Sequence, residues 1–385
     1  MSGVRERILL AGLCGGYFLI LLDVTVVAVA LPAIGDDLGA AGLARVVDGY
    51  TLPLALLLLP AGVLGDRIGH RRVVLAGLAV VGAASAVCAA APSMAVLAGG
   101  RFAQGVGAAL LLPGTLALVT ALFPAPGRRA RAIGVWSALG GLALPAGPLI
   151  GGALTGSLGW RSVFWIALPV LGIVAVAVAA CPAGRGNAPS PRDLRHAPRR
   201  LFLAAGIAGA MNLCTVGMLF LVTQWLQVSG GLTPMRAGLA LLPVFAPMPL
   251  LGPAVGRAVA RRGAWLMAAA GLLIAAAGLG SLAVTGGGPS WPAGAGMLAW
   301  GVGIAVLTPA IVTAAMEQLP AAPGLASGLS NAARQAGTTV GVGLFAALAG
   351  PASSGDFARG LAVAAAVAGA TYAVLAVVTA RVRPC

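Results

Sequence analysis

Apolar runs of about 20 residues recur from one end of this chain to the other, each the length needed to cross a hydrocarbon core roughly 30 Å thick. With 59% of its 385 residues hydrophobic and only 9% charged, the chain has too little polar surface to cover soluble domains. Hydropathy and helix breakers place spans at 9–32, 46–65, 73–91, 95–122, 131–156, 162–181, 202–227, 237–259, 264–284, 292–316, 325–349 and 358–380. The expected fold is therefore all-α: a polytopic membrane protein with about 12 transmembrane helices. One long polar interruption, Pro182 to Arg200, separates an N-terminal six-helix bundle (1–182) from a C-terminal one (201–385), with 183–200 as a cytoplasmic linker.

The formal charge of +15 and pI near 11.5 suggest nucleic acid until the basic residues are located. All 24 are arginine and none is lysine, which excludes a Walker A loop and a lysine Schiff base. Their clusters fall at 67–72, 128–131, 185–200 and 257–262, in loops that share one side of the membrane if the N-terminus is inside. The other side keeps Arg45, Arg161, Arg236 and Arg359, beside Asp36, Asp37, Asp48 and Asp356. This asymmetry follows the positive-inside rule and supports an even number of spans, with both termini cytoplasmic in a bacterial inner membrane. The first apolar run ends in Ala28-Val29-Ala30 but is longer than a signal-peptide core, so it is read as a retained span. Cys14, Cys88, Cys181, Cys214 and Cys385 lie far apart, and His70 and His196 have no second ligand nearby. No metal site is expected.

Ionisable groups at membrane depth are few: Asp23 in the first span, Arg101 near the start of the fourth, and Arg334 in the cytoplasmic part of the eleventh. A charge at the centre of a span costs roughly 2.5 to 3.5 kcal/mol on the insertion scale, so each marks a function or a fixed pair. Asp23 is the candidate proton-coupling carboxylate. Arg101, which does not titrate, is its candidate partner, with Gln104 one turn further on the same face. Pro145, Gly147, Pro148, Gly151 and Gly152 concentrate breakers and small residues in the fifth span, which predicts a kink and a close helix contact. A loop repeat links the halves: Gly62 to Arg72 closes the second span, and Gly252 to Gly263 closes the eighth.

These blocks resemble the major facilitator superfamily, and within it the drug:proton antiporter branch usually built from fourteen helices. The resemblance rests on Gly62, Leu64, Asp66, Arg67, Gly69 and Arg71 in the loop after the second span, and on Arg101, Gln104, Gly105 and Gly107 in the fourth. It continues through Gly147, Pro148, Gly151 and Gly152, with Trp160, Arg161 and Phe164 beyond them, and through blocks around Asp23, Tyr50, Pro243 and Arg334. It implies the major facilitator fold, a gating loop in which Asp66 caps a neighbouring helix end, and an antiporter motif in the fifth helix. The sequence departs from the branch in having twelve spans, in Arg45 and Ala167, and in Gly256 at the acidic position of the second loop.

The expected function is a proton-coupled antiporter that exports a hydrophobic or amphipathic small molecule by alternating access, driven by the proton gradient and using no cofactor. Thr25, Gln104, Asn212, Gln224, Asn331, Arg334 and Gln335 are the polar candidates for its substrate cavity. Expected partners are the substrate, protons and the lipid bilayer, with no nucleic acid, and the chain is expected to be a monomer. The shortage of acids in the second half predicts a preference for neutral or monocationic compounds over dications. A proton-coupled importer or facilitator is the alternative, and a non-transporting sensor or scaffold a remote one. No enzyme constellation is present in the sequence.

Overall fold

The computed structural model describes residues 3–39, 43–181, 198–232, 234–285, 291–350 and 354–382. The linker expected at 183–200 lies almost wholly outside the described residues. In chain order the helices are α1 (Gly3–Leu38), α2 (Leu43–Ile68), α3 (His70–Ala89), α4 (Met94–Leu122), α5 (Pro126–Leu158), α6 (Ser162–Trp165) and α7 (Ala167–Ala179). They continue with α8 (Arg199–Gln224), a π-helical turn (Trp225–Ser229), α9 (Pro234–Ala240), α10 (Leu242–Phe245) and α11 (Pro247–Arg262). The last four are α12 (Ala264–Thr285), α13 (Trp291–Gln318), α14 (Pro323–Ala349) and α15 (Phe357–Ala380). Among the described residues there is no strand, as expected.

Ten helical segments are long and apolar enough to cross a membrane, and eleven if α5 counts as one bent span. The bend, 41° between Pro126–Ala143 and Pro145–Leu158, falls where Pro145 removes a backbone donor and crowds the preceding turn. The eleventh expected span is present as α14. Its Ser327, Ser330, Asn331, Arg334, Gln335, Thr338 and Thr339 lower its hydropathy below that of the others. The expected span at 237–259 is divided into α9, α10 and α11, because Pro243 and Pro247 each open a new helix.

The chain forms two compact units. The first comprises Met1–Pro124, Leu139–Pro198 and Leu319–Ala332; the second comprises Ala125–Ala138, Arg199–Gln318 and Ala333–Cys385. The opening of α5 thus clusters with the second unit and the opening of α14 with the first. Within the first unit α4 packs against α2 and α3, and within the second α13 packs against α11 and α12. Small residues set these contacts: a Cβ on Gly107 would lie 2.9 Å from the Gly77 carbonyl oxygen, and one on Gly271 2.8 Å from that of Gly303. α4 and α13 are the most enclosed of these spans, each with 78% of its most apolar stretch buried. They can therefore carry polar side chains away from lipid. Outward faces expose large apolar groups such as Leu56, Ile173, Val176 and Leu250, a surface suited to a bilayer.

Candidate functional site

Arg101 is the largest buried charged side chain of the first unit, with 2% exposure. It does not snorkel to the membrane surface. Its Nη1 donates to Asp23 Oδ2 in a direct ion pair and to Gln104 Oε1 at 2.9 Å, while its Nε donates to the Val46 carbonyl at 3.0 Å. The guanidinium carbon sits 4.4 Å from the centre of the Tyr50 ring, a cation–π contact in a desolvated place. Gln104 Nε2 donates to Ser85 Oγ at 2.8 Å, and Tyr50 OH to the Ile20 carbonyl at 3.1 Å. α4 can bring Arg101 and Gln104 together because residues three apart share a helix face. Asp23, Tyr50, Ser85 and Gln104 line a cavity of about 20 Å³ whose remaining walls are largely apolar, room for about one water.

The glycines of the candidate antiporter motif in α5 adjoin this pair. A Cβ on Gly147 would collide with the Thr25 side chain, and one on Gly151 would lie 3.1 Å from the Val26 carbonyl, so α5 approaches α1 within one turn of Asp23. Thr25 Oγ1 is held by the Leu22 carbonyl at 3.0 Å and reaches that of Ala143 at 3.4 Å. Gly152 differs: nothing lies within 4 Å of its would-be Cβ. The motif thus divides into contact positions and an open one. Pro148 belongs to the same helix turn.

Asp66 stands at the end of α2 with 3% exposure. Its two oxygens accept from the backbone N–H groups of Gly324 (2.8 Å) and Leu325 (2.7 Å) in the first turn of α14, and His70 Nε2 lies 2.9 Å from Oδ1. A carboxylate here satisfies orphan donors at the positive end of a helix. Gly62 presses on the Gly324 backbone, and Gly69, at φ 96°, reverses the chain into α3 in a conformation that favours glycine. Arg67 is exposed and Arg71 half-buried. In the second unit Gly263 makes the corresponding reversal at φ 89°. The position corresponding to Asp66 cannot hold an acid there. A Cβ on Gly256 would lie 2.8 Å from both the Ala130 carbonyl oxygen and the Arg131 Cα, all backbone.

The remaining candidates separate. Asn212 on α8 accepts from Arg334 Nε at 3.2 Å and donates to Thr338 Oγ1 at 3.1 Å, both on α14. Asn331 is not part of this group. It is buried, donates to Ser327 one turn back on its own helix, and clusters with the first unit. Gln224 lies apart, lining a cavity of about 390 Å³ with Phe220, Leu221 and Phe357, and Gln335 is half-buried.

One cluster goes beyond the sequence reading. Asp37 accepts from Arg161 Nη1 at 2.6 Å and from Trp160 Nε1 at 3.1 Å, while Arg161 Nη2 donates to the Ala91 carbonyl at 3.0 Å. It ties the end of α1 to the turns after α3 and α5. The Arg161 guanidinium and the Trp160 N–H hold the Asp37 carboxyl below the usual carboxylate range. Trp160 and Arg161 stand out as a pair in the sequence, but nothing local points to an acid 124 residues away.

Two units of closely packed apolar helices, one holding an ion pair at membrane depth, define a polytopic membrane transporter. The chain belongs to the Major Facilitator Superfamily, whose profile matches residues 13–342. It is 33% identical to the multidrug resistance protein Stp of Mycobacterium tuberculosis, over 85% of this chain and 72% of that one. It is 30% identical to the methylenomycin A resistance protein of Streptomyces coelicolor, over 96% and 90%. Among solved structures, the proton:xylose symporter XylE superposes with a TM-score of 0.79 at 14% identity, covering 100% of this chain and 97% of that one, a likeness of fold.

Proposed function

We propose that this chain is a proton-coupled antiporter that exports drug-like or antibiotic small molecules across a bacterial inner membrane, with both termini cytoplasmic, no cofactor and no enzymatic activity. The relatives named for drug and antibiotic resistance support export. The observation that carries proton coupling is the Asp23–Arg101 pair beside the α1–α5 glycine contact. Protonation of Asp23 neutralises the carboxylate and releases it from Arg101. The guanidinium keeps Val46, Gln104 and the Tyr50 ring as partners, so the change in structure falls on α1. Thr25, two residues on, abuts Gly147, and movement of α1 is passed to α5 by direct contact. Asp66 is the gate at the arginine-rich end, where its grip on the start of α14 is made or broken during the cycle.

Efflux of a panel of antibiotics and fluorescent dyes from cells carrying wild type or Asp23→Asn, with and without a proton gradient, tests this reading. Gradient-dependent export that falls in Asp23→Asn to the level of cells lacking the protein is expected. Unchanged export in the variant would make the pair structural and end the coupling proposal.

A further inference from the structure

Arg334 and Arg101 are the two arginines at membrane depth, and their surroundings differ in kind. Arg101 has a carboxylate and a full set of neutral partners. Arg334 has one side-chain partner among the described residues, the Asn212 amide oxygen on its Nε. Among the described residues no carboxylate lies within ion-pairing distance of it, and neither of its Nη nitrogens has an acceptor. Eleven residues into the 27-residue α14 from Pro323, it stands about 16 Å along a helix of about 40 Å, inside the expected span and nearer its cytoplasmic end. An uncompensated guanidinium at that depth is unfavourable unless something else neutralises it.

Its position is built rather than incidental. α8 and α14 meet through glycines: Gly337 presses on the Gly209 backbone, Gly341 on that of Leu213, and a Cβ on Gly217 would lie 2.8 Å from the Gly341 carbonyl oxygen. That contact brings Asn212 against Arg334 and Thr338. Asn212 holds the guanidinium by its Nε and is itself held by Thr338, whose hydroxyl donates to the Arg334 carbonyl at 3.1 Å. The planar fork is thereby oriented, with its two Nη groups left to donate together. Such a fork matches two oxygens of a carboxylate or of an ionised enol or phenol.

Building on the export reading, we infer that Arg334, oriented by Asn212, recognises an acidic oxygen group on the substrate. The exported compounds are then amphipathic molecules carrying a carboxylate or an ionisable hydroxyl, and cationic amphiphiles, the monocations expected from the shortage of acids included, are the poor substrates.

The test uses purified full-length protein in nanodiscs and three probes on one scaffold: anthracene carboxylate, its primary amide, and the corresponding anthracenylmethyl ammonium. Binding is read by energy transfer from the tryptophans. Wild type should bind the carboxylate about tenfold more tightly than the amide or the ammonium, the discrimination that charge-assisted hydrogen bonds give. Arg334→Gln keeps an amide donor for Asn212 and removes the charge, so it should reduce that ratio to within about twofold. Arg334→Lys should retain part of it. A thermal melt of each variant reports folding. Equal or tighter binding of the ammonium by wild type, binding of no probe, or an unchanged ratio in Arg334→Gln would overturn the inference. Everted vesicles supplied with the same probes on the outside, where export appears as gradient-dependent uptake, separate it from the export reading. Carboxylate binding without gradient-dependent movement defeats export and leaves the site standing, whereas export that prefers the ammonium defeats the site and leaves export standing.

Discussion

Arg101 has more partners than a static counter-charge requires, and that surplus shapes what its loss does. Arg101→Gln leaves Asp23 beside a neutral amide in an apolar setting, and removing one member of a buried pair costs about 3–5 kcal/mol. A large fall in thermal midpoint is expected for the purified variant, with a smaller one for Arg101→Lys. The sequence places Asp23, Arg101 and Gln104 at the right depth, and helical spacing puts the last two on one face. Tyr50, Ser85 and Val46 were not legible as partners, because nothing local in sequence says which face of α2 or α3 meets α4. Asp37 gives a pH test at the same scale. Its folded pKa lies below its unfolded one, so its contribution to stability is present above the ordinary carboxylate range and lost as pH falls through the folded value. Wild type should therefore melt above Arg161→Gln at neutral pH. The two midpoints should converge in acid, and a gap that stays constant with pH would refute this assignment.

Helix contacts divide the proposed antiporter motif of α5 into positions with opposite expectations. Gly147→Val drives a branched side chain into Thr25 and Gly152→Ala enters open space, so the first should lose about 1–3 kcal/mol by overpacking and the second almost nothing. Thermal melts of the two variants check this, and equal losses would mean that α1 and α5 do not meet here. Asp66→Asn keeps an acceptor for one N–H but loses the charge that two helix-end donors share. Hydrogen bonds to charged groups are worth about 1.5–3 kcal/mol each, so looser protection of the first turn of α14 is expected in hydrogen exchange. Unchanged protection there would remove Asp66 from the cap. The glycine and proline spacing of α5 made its kink readable from sequence. That Gly256 has no room for a side chain was not, since the crowding comes from the Ala130–Arg131 backbone, over a hundred residues away.

At the scale of the whole molecule, apolar run length accounts for nearly every long helix, and arginine placement gives them an expected sidedness. Both are properties of single segments measured against a bilayer, and so survive without tertiary information. The unit boundaries were less accessible. The openings of α5 and α14 each cluster with the other unit's segments, and hydropathy carries no sign of that. The proposed substrate site sits between these cases: Arg334 was visible as a charge in a span, but its having no carboxylate partner among the described residues is a property of the packed helices. The most direct measurement of proton-coupled export is proton movement in liposomes containing the purified protein and a pH dye, started by adding an exported compound on one side without an imposed gradient. Wild type should move protons counter to the substrate and Asp23→Asn should move none. Substrate transport with no accompanying proton movement, or with protons travelling in the same direction, would contradict it.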